Sequence, residues 1–299
     1  MVIGEILFDV INGRPLIGGA PFNFAFHLIR LGFDVAFISR IGDDALGREM
    51  RERLKALNFP AGFLQTDPEF PTGTVEVSLD AGGGHGFDIK KPAAYDRIAF
   101  IRDIHRPVLE NADLLYFGTL AQRTETGHAG IREFLRRLPP DRDVFYDINL
   151  RRGGWSGEVV ARGLSRATWL KLNTDELCAI REIFSFPGED QAVIKNLREQ
   201  FSLRQVLLTR GSRGSDLYEG DRLFREPAAR VSALKDTVGA GDAFAALFCA
   251  GMLRGWEPAQ TLGAASRFAA KICEIRGAIP EDPDFYTPFR RLLTTRTRP

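Results

Sequence analysis

Five short apolar runs constrain the fold of this chain more than any other feature. They read VAFIS (35–39), DLLYFG (113–118), DVFYDI (143–148), TWLKLN (168–173) and QVLLT (205–209). Each has the length of a strand and is almost continuously apolar, which suits strands covered on both faces. Helical stripes lie between them. Phe22, Ala25, Phe26 and Ile29 share one face, and Gly32 stops that helix. Leu46, Met50, Leu54 and Leu57 form a second stripe, entered through Gly42-Asp43-Asp44. Phe244, Leu247, Phe248 and Gly251 form a third, and Leu262, Ala265, Ala269 and Ile272 a last long one. Strands alternating with helices give an α/β fold, with a mostly parallel central sheet and helices on both sides. Residues 72–91 break the rule with period-two alternation around a glycine-rich turn. That is a hairpin signal, and the N-terminal segment ILFDVING can pair with it. This small β insertion reads either as an active-site lid or as an exposed or dimer-forming hairpin, and the two are compatible.

The 299 residues, 44% hydrophobic and 26% charged, fit a globular α/β domain that can reach this size undivided. A net charge of +1 points to neither nucleic acid nor an acidic membrane surface as a partner. No segment is long and apolar enough to span a bilayer, and MVIGEILFDV lacks the basic start of a signal peptide. Cys178, Cys249 and Cys273 sit among apolar or helix-forming residues and read as buried free thiols, which favours a cytoplasmic location. The four histidines are scattered and match no metal-ligand spacing. The tail TTRTRP reads as frayed.

Four segments carry chemistry. DTVGAGDAF (236–244) places small residues and two acids at the start of a helix. Free amides at Gly239, Ala240 and Gly241 and the positive helix end can neutralise a phosphoryl group, and Asp242 can take a proton from an attacking hydroxyl. An ordinary capped helix start has the same spacing. No P-loop motif is present, and Phe244 stands where a dinucleotide fingerprint needs its third glycine. In IGGAPFNFAF, Gly18-Gly19 make a tight turn, and Asn23 reads as a sugar ligand or a helix cap. Asp9 ends an apolar N-terminal strand where a polyol can dock. In LKLNTDEL, Asn173 and Glu176 read as ligands of a hydrated divalent metal and phosphate, or as a cap with its reciprocal acid. In YDINLRRGGW, Asp147, Asn149 and Arg151 end a buried strand, where open α/β sheets bind ligands.

In this order along the chain, the motifs resemble those of the ribokinase-like (PfkB) sugar kinases over the whole length. DTVGAGDAF is similar to the C-terminal signature of that family, GGAPFNFAFHLIRLGFDVAFISRIGDDALG to its N-terminal signature, and KLNTDEL to its Asn-x-x-Glu element. DINLRRGGW and YFGTLAQR look most like fructokinases, with 2-keto-3-deoxygluconate kinases close behind. The resemblance implies a three-layer α/β/α sandwich as one domain over 1–299, with a β lid inserted from about 6–17 and 72–96. It implies ATP, Mg²⁺ and a monovalent cation such as K⁺ as cofactors, a small sugar as substrate and a homodimer through the lid. Asp242 would be the base, and Gly239, Ala240 and Gly241 the anion hole. Asp9, Gly18, Gly19, Asn23 and Arg151 would hold the sugar. Asn173, Thr209, Gly211 and Gly214 would line the nucleotide site, with Gly239 and Gly241, and residues 262–275 would cover the adenine. Glu176 would organise Mg²⁺ through water, and the carbonyls of Asp236 and Val238, with the segment near Gly277, would hold the monovalent cation. Ser266-Arg267 departs from the Asn that relatives often carry at the adenine, and the turn DAGGGHGF leaves open whether His85 or Phe87 touches the sugar.

Overall fold

The computed structural model describes residues 1–11, 13–79, 85–151 and 153–294, leaving aside the side chains of residues 11, 77–79 and 85–87. Two compact units divide the chain. One comprises Met1–Phe22, Ala36–Arg142 and Arg151–Val159, the other Asn23–Val35, Asp143–Leu150 and Val160–Pro299.

The first unit runs β1 (Val2–Ile3), β2 (Leu7–Ile11), β3 (Arg14–Gly18), the first turn of α1 (Ala20–Arg30), β4 (Phe37–Gly42), α2 (Ala45–Ala56), β5 (Leu64–Asp67), β6 (Thr74–Leu79), β7 (His85–Ile89), α3 (Arg102–Glu110), β8 (Leu114–Gly118) and α4 (Glu125–Arg137). Strands β8-β1-β4-β5 form a parallel ladder in that order. The strand expected at 35–39 begins and ends later, at Phe37 and Gly42. It starts where β1 offers partners, with Val2 opposite Phe37, and continues because β5 pairs it from Ser39 to Gly42. Arg40 interrupts the apolar run, but its Nε lies 2.8 Å from the buried Asp67 carboxylate on β5. Asp44 caps α2 by accepting from the Gly47 amide, as the Gly-Asp-Asp entry suggested.

The expected β insertion is a separate sheet, β3-β2-β6-β7. The N-terminal segment does pair with it, through a parallel ladder from Phe8 opposite Thr74, flanked by two antiparallel pairs. Asp9 lies in the middle of β2 rather than at a strand end, because the pairing with β3 and β6 carries the strand on to Ile11. Residues 80–84 of the glycine-rich turn, the His85 and Phe87 side chains, Arg152 and the tail 295–299 lie outside the described residues.

The second unit adds β9 (Asp143–Asp147), α5 (Gly157–Leu164), β10 (Trp169–Asn173), α6 (Thr174–Phe184), α7 (Asp190–Phe201), β11 (Gln205–Thr209), β12 (Ser215–Glu219), β13 (Arg222–Glu226), α8 (Ala240–Leu253), α9 (Pro258–Ile272) and α10 (Thr287–Thr294). Strands β9, β10 and β11 are parallel, as their apolar runs suggested, and β12 and β13 extend the sheet antiparallel. Helix α8 is buried from Ala243 through Gly251. A Cβ at Gly251 would lie 2.8 Å from Thr261 Cγ2, so the glycine lets α8 and α9 approach closely. His27 of α1 is buried beside Phe268 and Tyr286, its Nδ1 2.9 Å from the Tyr286 hydroxyl. Burial pushes that imidazole down to about 3, so it is neutral at physiological pH. All three cysteines are free, but only Cys249 is fully buried; Cys178, on the outer face of α6, is exposed. Among the described residues, no helix is long and apolar enough to cross a membrane.

Candidate functional site

In the second unit the chain turns into α8 through Gly239, at φ +75° and ψ −5°. An L-residue adopts this left-handed conformation only at a cost, and a Cβ here would lie 2.3 Å from that of Ala278. No side chain caps α8, so the expectation of an ordinary capped start is not met. The Ala240 amide donates to the Thr237 carbonyl at 3.3 Å, a long bond within the loop, and the positive end of the helix dipole lies at this turn. Gly241 is exposed and Asp242 is half-buried in that first turn. Asp236 shapes the loop. Its carboxylate accepts from the amides of Val238 and Gly277, both at 3.0 Å, and so joins the loop to the segment after α9.

Asn23 is the fourth residue of α1 and not its cap. Its Nδ2 donates to Asp242 Oδ2 at 2.8 Å, while its buried Oδ1 has no partner. The fold therefore brings together two of the candidate residues, 219 positions apart. A third group has no counterpart among the candidates read from sequence. Lys171, on β10, lies opposite Asp147 of β9 in register, and its Nζ sits 2.8 and 3.0 Å from the two Asp147 oxygens. Both are buried. The readable signal was a lysine interrupting one apolar strand and an aspartate interrupting its neighbour.

Glu176 is buried as well. Its Oε1 accepts from the Leu150 amide at 2.9 Å and its Oε2 from the Asn173 amide at 2.8 Å, while Asn173 Oδ1 accepts from the Glu176 amide at 2.9 Å. The capping box is thus real, and it holds an acid beside the Lys171–Asp147 pair. Burial raises the Glu176 carboxyl above the usual range, against the pull of Lys171 and the two amides. Among the described residues no cluster of three His, Cys, Asp or Glu could hold a bare metal ion. The donor set suits a hydrated Mg²⁺ carried by phosphates rather than a protein cage. Asn149, just after β9, takes φ +39°, a strained position of the kind that clusters at functional sites. Thr209 lies beside Asn173 in the β10–β11 register, and Gly211 to Gly214 follow it in a short turn. Ser266 on α9 accepts from the Ala229 amide and donates to the Pro227 carbonyl, so its hydroxyl holds a loop in place.

In the first unit, Gly18 and Gly19 close β3 into α1. A Cβ on Gly18 would lie 2.1 Å from Asp9 Oδ2, so the glycine makes room for that carboxylate. Partial burial pushes the Asp9 carboxyl up to about 6, against the pull of the exposed Arg151 guanidinium. The folded chain therefore binds this proton more tightly than the unfolded chain. The resulting stability is full below about pH 4 and lost as pH rises through 6. Ionised Asp9 costs the fold about 1–3 kcal/mol after solvent screening. Asp9→Asn should raise Tm at pH 8 by about 2–6 °C and leave it unchanged near pH 4. Equal Tm differences at both pH values would refute this.

The sequence profile of pfkB family carbohydrate kinases matches residues 10–284. A fructokinase from Klebsiella pneumoniae is 31% identical over 264 residues, 84% of this chain and 83% of that protein. The aminoimidazole riboside kinase of Salmonella typhimurium is 27% identical over 298 residues, 94% of this chain and 91% of its own length. A fructokinase from Xylella fastidiosa, solved with bound ATP, has the same fold, with a TM-score of 0.82 at 23% identity over 93% of this chain and 92% of its own. With the family profile spanning nearly the whole chain, and the α/β architecture shared with a solved fructokinase, this protein belongs to the pfkB family of carbohydrate kinases.

Proposed function

We propose that the chain transfers the γ-phosphoryl group of MgATP to a primary hydroxyl of fructose. The carrying observation is Asp242, held by Asn23 in the first turn of an uncapped helix. A carboxylate there can remove the hydroxyl proton while the amides of Gly239 and Gly241, joined by that of Ala240 on leaving the Thr237 carbonyl, take up charge from the phosphoryl group. Asp9, Gly18, Gly19, Asn23 and Arg151 hold the sugar in this reading, and the unpartnered Asn23 Oδ1 is a ready acceptor. Asn173, Thr209, Gly211 and Gly214 would serve the nucleotide, and Glu176 would orient water on its Mg²⁺. The carbonyls of Asp236 and Val238 suit a K⁺, because the Asp236 carboxylate fixes the loop that presents them. The four-stranded sheet acts as the lid that excludes water and, with Leu16 exposed on β3, as the surface of a homodimer, which sedimentation tests.

A neutral sugar fits better than a sugar acid. Arg151 already interacts with Asp9, so a substrate carboxylate would face another carboxylate there. ADP release with a panel of fructose, 2-keto-3-deoxygluconate and aminoimidazole riboside, with and without K⁺, tests the assignment. Fructose should give the highest kcat/KM, raised by K⁺. A tenfold preference for the acid or the riboside would overturn the choice of sugar. Binding without turnover of any sugar would favour a sugar-sensing role instead.

A further inference from the structure

Lys171 has no part in the mechanism above, yet its position is unusual. Taking an ammonium out of water into the middle of a parallel sheet is unfavourable, and a buried ion pair is commonly replaceable by apolar residues without loss of stability. The surrounding strands are apolar, so packing alone gives no reason for the pair. The ammonium is also attracted to more carboxylates than its bonded partner, since Glu176 and Asp242 both act on it alongside Asp147. Gly241 completes the picture. A Cβ there would meet nothing but Lys171 Nζ, at 3.8 Å. Protein packing does not demand a glycine at this exposed position. The space beside the first turn of α8 is thus open on one side and bounded by an ammonium on the other.

We propose that Lys171 is a catalytic residue whose ammonium stabilises the negative charge on the phosphoryl group during transfer. The inference rests on the kinase reading above. In the step, the sugar oxygen forms a bond to the γ-phosphorus while the bond from that phosphorus to the bridging oxygen of ADP breaks, and its electron pair leaves with ADP. The hydroxyl proton passes to Asp242. Lys171 keeps its proton throughout and acts by charge alone. Asp147 orients the ammonium through both its oxygens.

The test uses the full chain with Lys171→Met, Lys171→Arg and the double variant Asp147→Asn/Lys171→Met, which leaves no unpaired buried charge if the single Met variant fails to fold. We expect the double variant to fold and to lose about 10²–10³-fold in kcat, the range for removing one donor to a developing anion, with the sugar KM within threefold of wild type. Lys171→Arg, which keeps the charge, should recover at least tenfold of the loss in Lys171→Met. Titration with ADP and aluminium fluoride in Mg²⁺ gives a readout independent of turnover. The double variant should bind that mimic of the transferring phosphoryl at least tenfold more weakly while binding ADP alone like wild type. A double variant with kcat within fivefold of wild type would reduce Lys171 to a counter-ion for Asp147 and overturn the proposal. A wild-type enzyme inactive toward every sugar would instead overturn the kinase reading itself.

Discussion

Asp242→Asn should lower kcat for sugar phosphorylation by about 10²–10⁴-fold, the usual contribution of a positioned general base. The replacement keeps an acceptor oxygen for Asn23 Nδ2, so the 2.8 Å contact between α1 and α8 survives and Tm should stay within a few degrees of wild type. Only the ability to take a proton is lost. An ADP-release assay at saturating sugar and MgATP reads the effect directly. Sugar KM should change little, because the carboxylate acts on the proton in flight more than on the bound sugar. A variant turning over at the wild-type rate would remove Asp242 from the role of base.

The sequence was most legible where each residue's environment agreed with its neighbours'. Strands β8, β9, β10 and β11 matched their apolar runs to within a residue or two, because strands covered on both faces need no polar side. Strands β5, β12 and β13 have no counterpart among the expected runs. Leu64–Asp67 has no apolar run, and Arg222–Glu226 alternates at an edge, so pairing with neighbours rather than composition makes them strands. Arg40 hid the end of β4 for a related reason, since its partner Asp67 is distant in sequence.

The site divides in the same way. Asp242, Asn23 and Glu176 were readable from motifs, but their choice between cap and ligand was not. Asn23 turned out to bond another candidate, whereas Asn173 and Glu176 cap α6, and Glu176 also stands beside the Lys171–Asp147 pair. Lys171 interrupts an apolar strand, but one lysine there carries no spacing that names a role. Its meaning comes from the register that sets it opposite Asp147 and from the space beside Gly241, which only three dimensions reveal. Cys178 failed the opposite test. It sits in a helical pattern with apolar neighbours, but on the outward face of α6.

The two glycines of the α8 turn should respond to alanine oppositely in stability, though both variants should lose activity. Gly239→Ala puts a Cβ at φ +75° and 2.3 Å from the Ala278 Cβ, with the Ala278 Cα at 2.7 Å, so backbone rather than a flexible side chain must give way. Left-handed strain alone costs about 1–2 kcal/mol, and the clash adds to it. Together they should lower Tm by about 5–10 °C and, by moving the loop that presents the amides, lower kcat as well. Gly241→Ala meets only the Lys171 ammonium, at ordinary contact distance. Alanine is the better helix former by about 0.5–1 kcal/mol, so this variant should melt at or slightly above the wild-type temperature. Its kcat should nevertheless fall at least tenfold, because the methyl group fills the space assigned to the phosphoryl group. Thermal melts and ADP-release rates on the same preparations separate the effects. Full activity in Gly241→Ala would mean that the phosphoryl group does not approach this turn. An unchanged Tm in Gly239→Ala would mean that the loop can refit around a Cβ, and that glycine at 239 is not fixed by packing against Ala278.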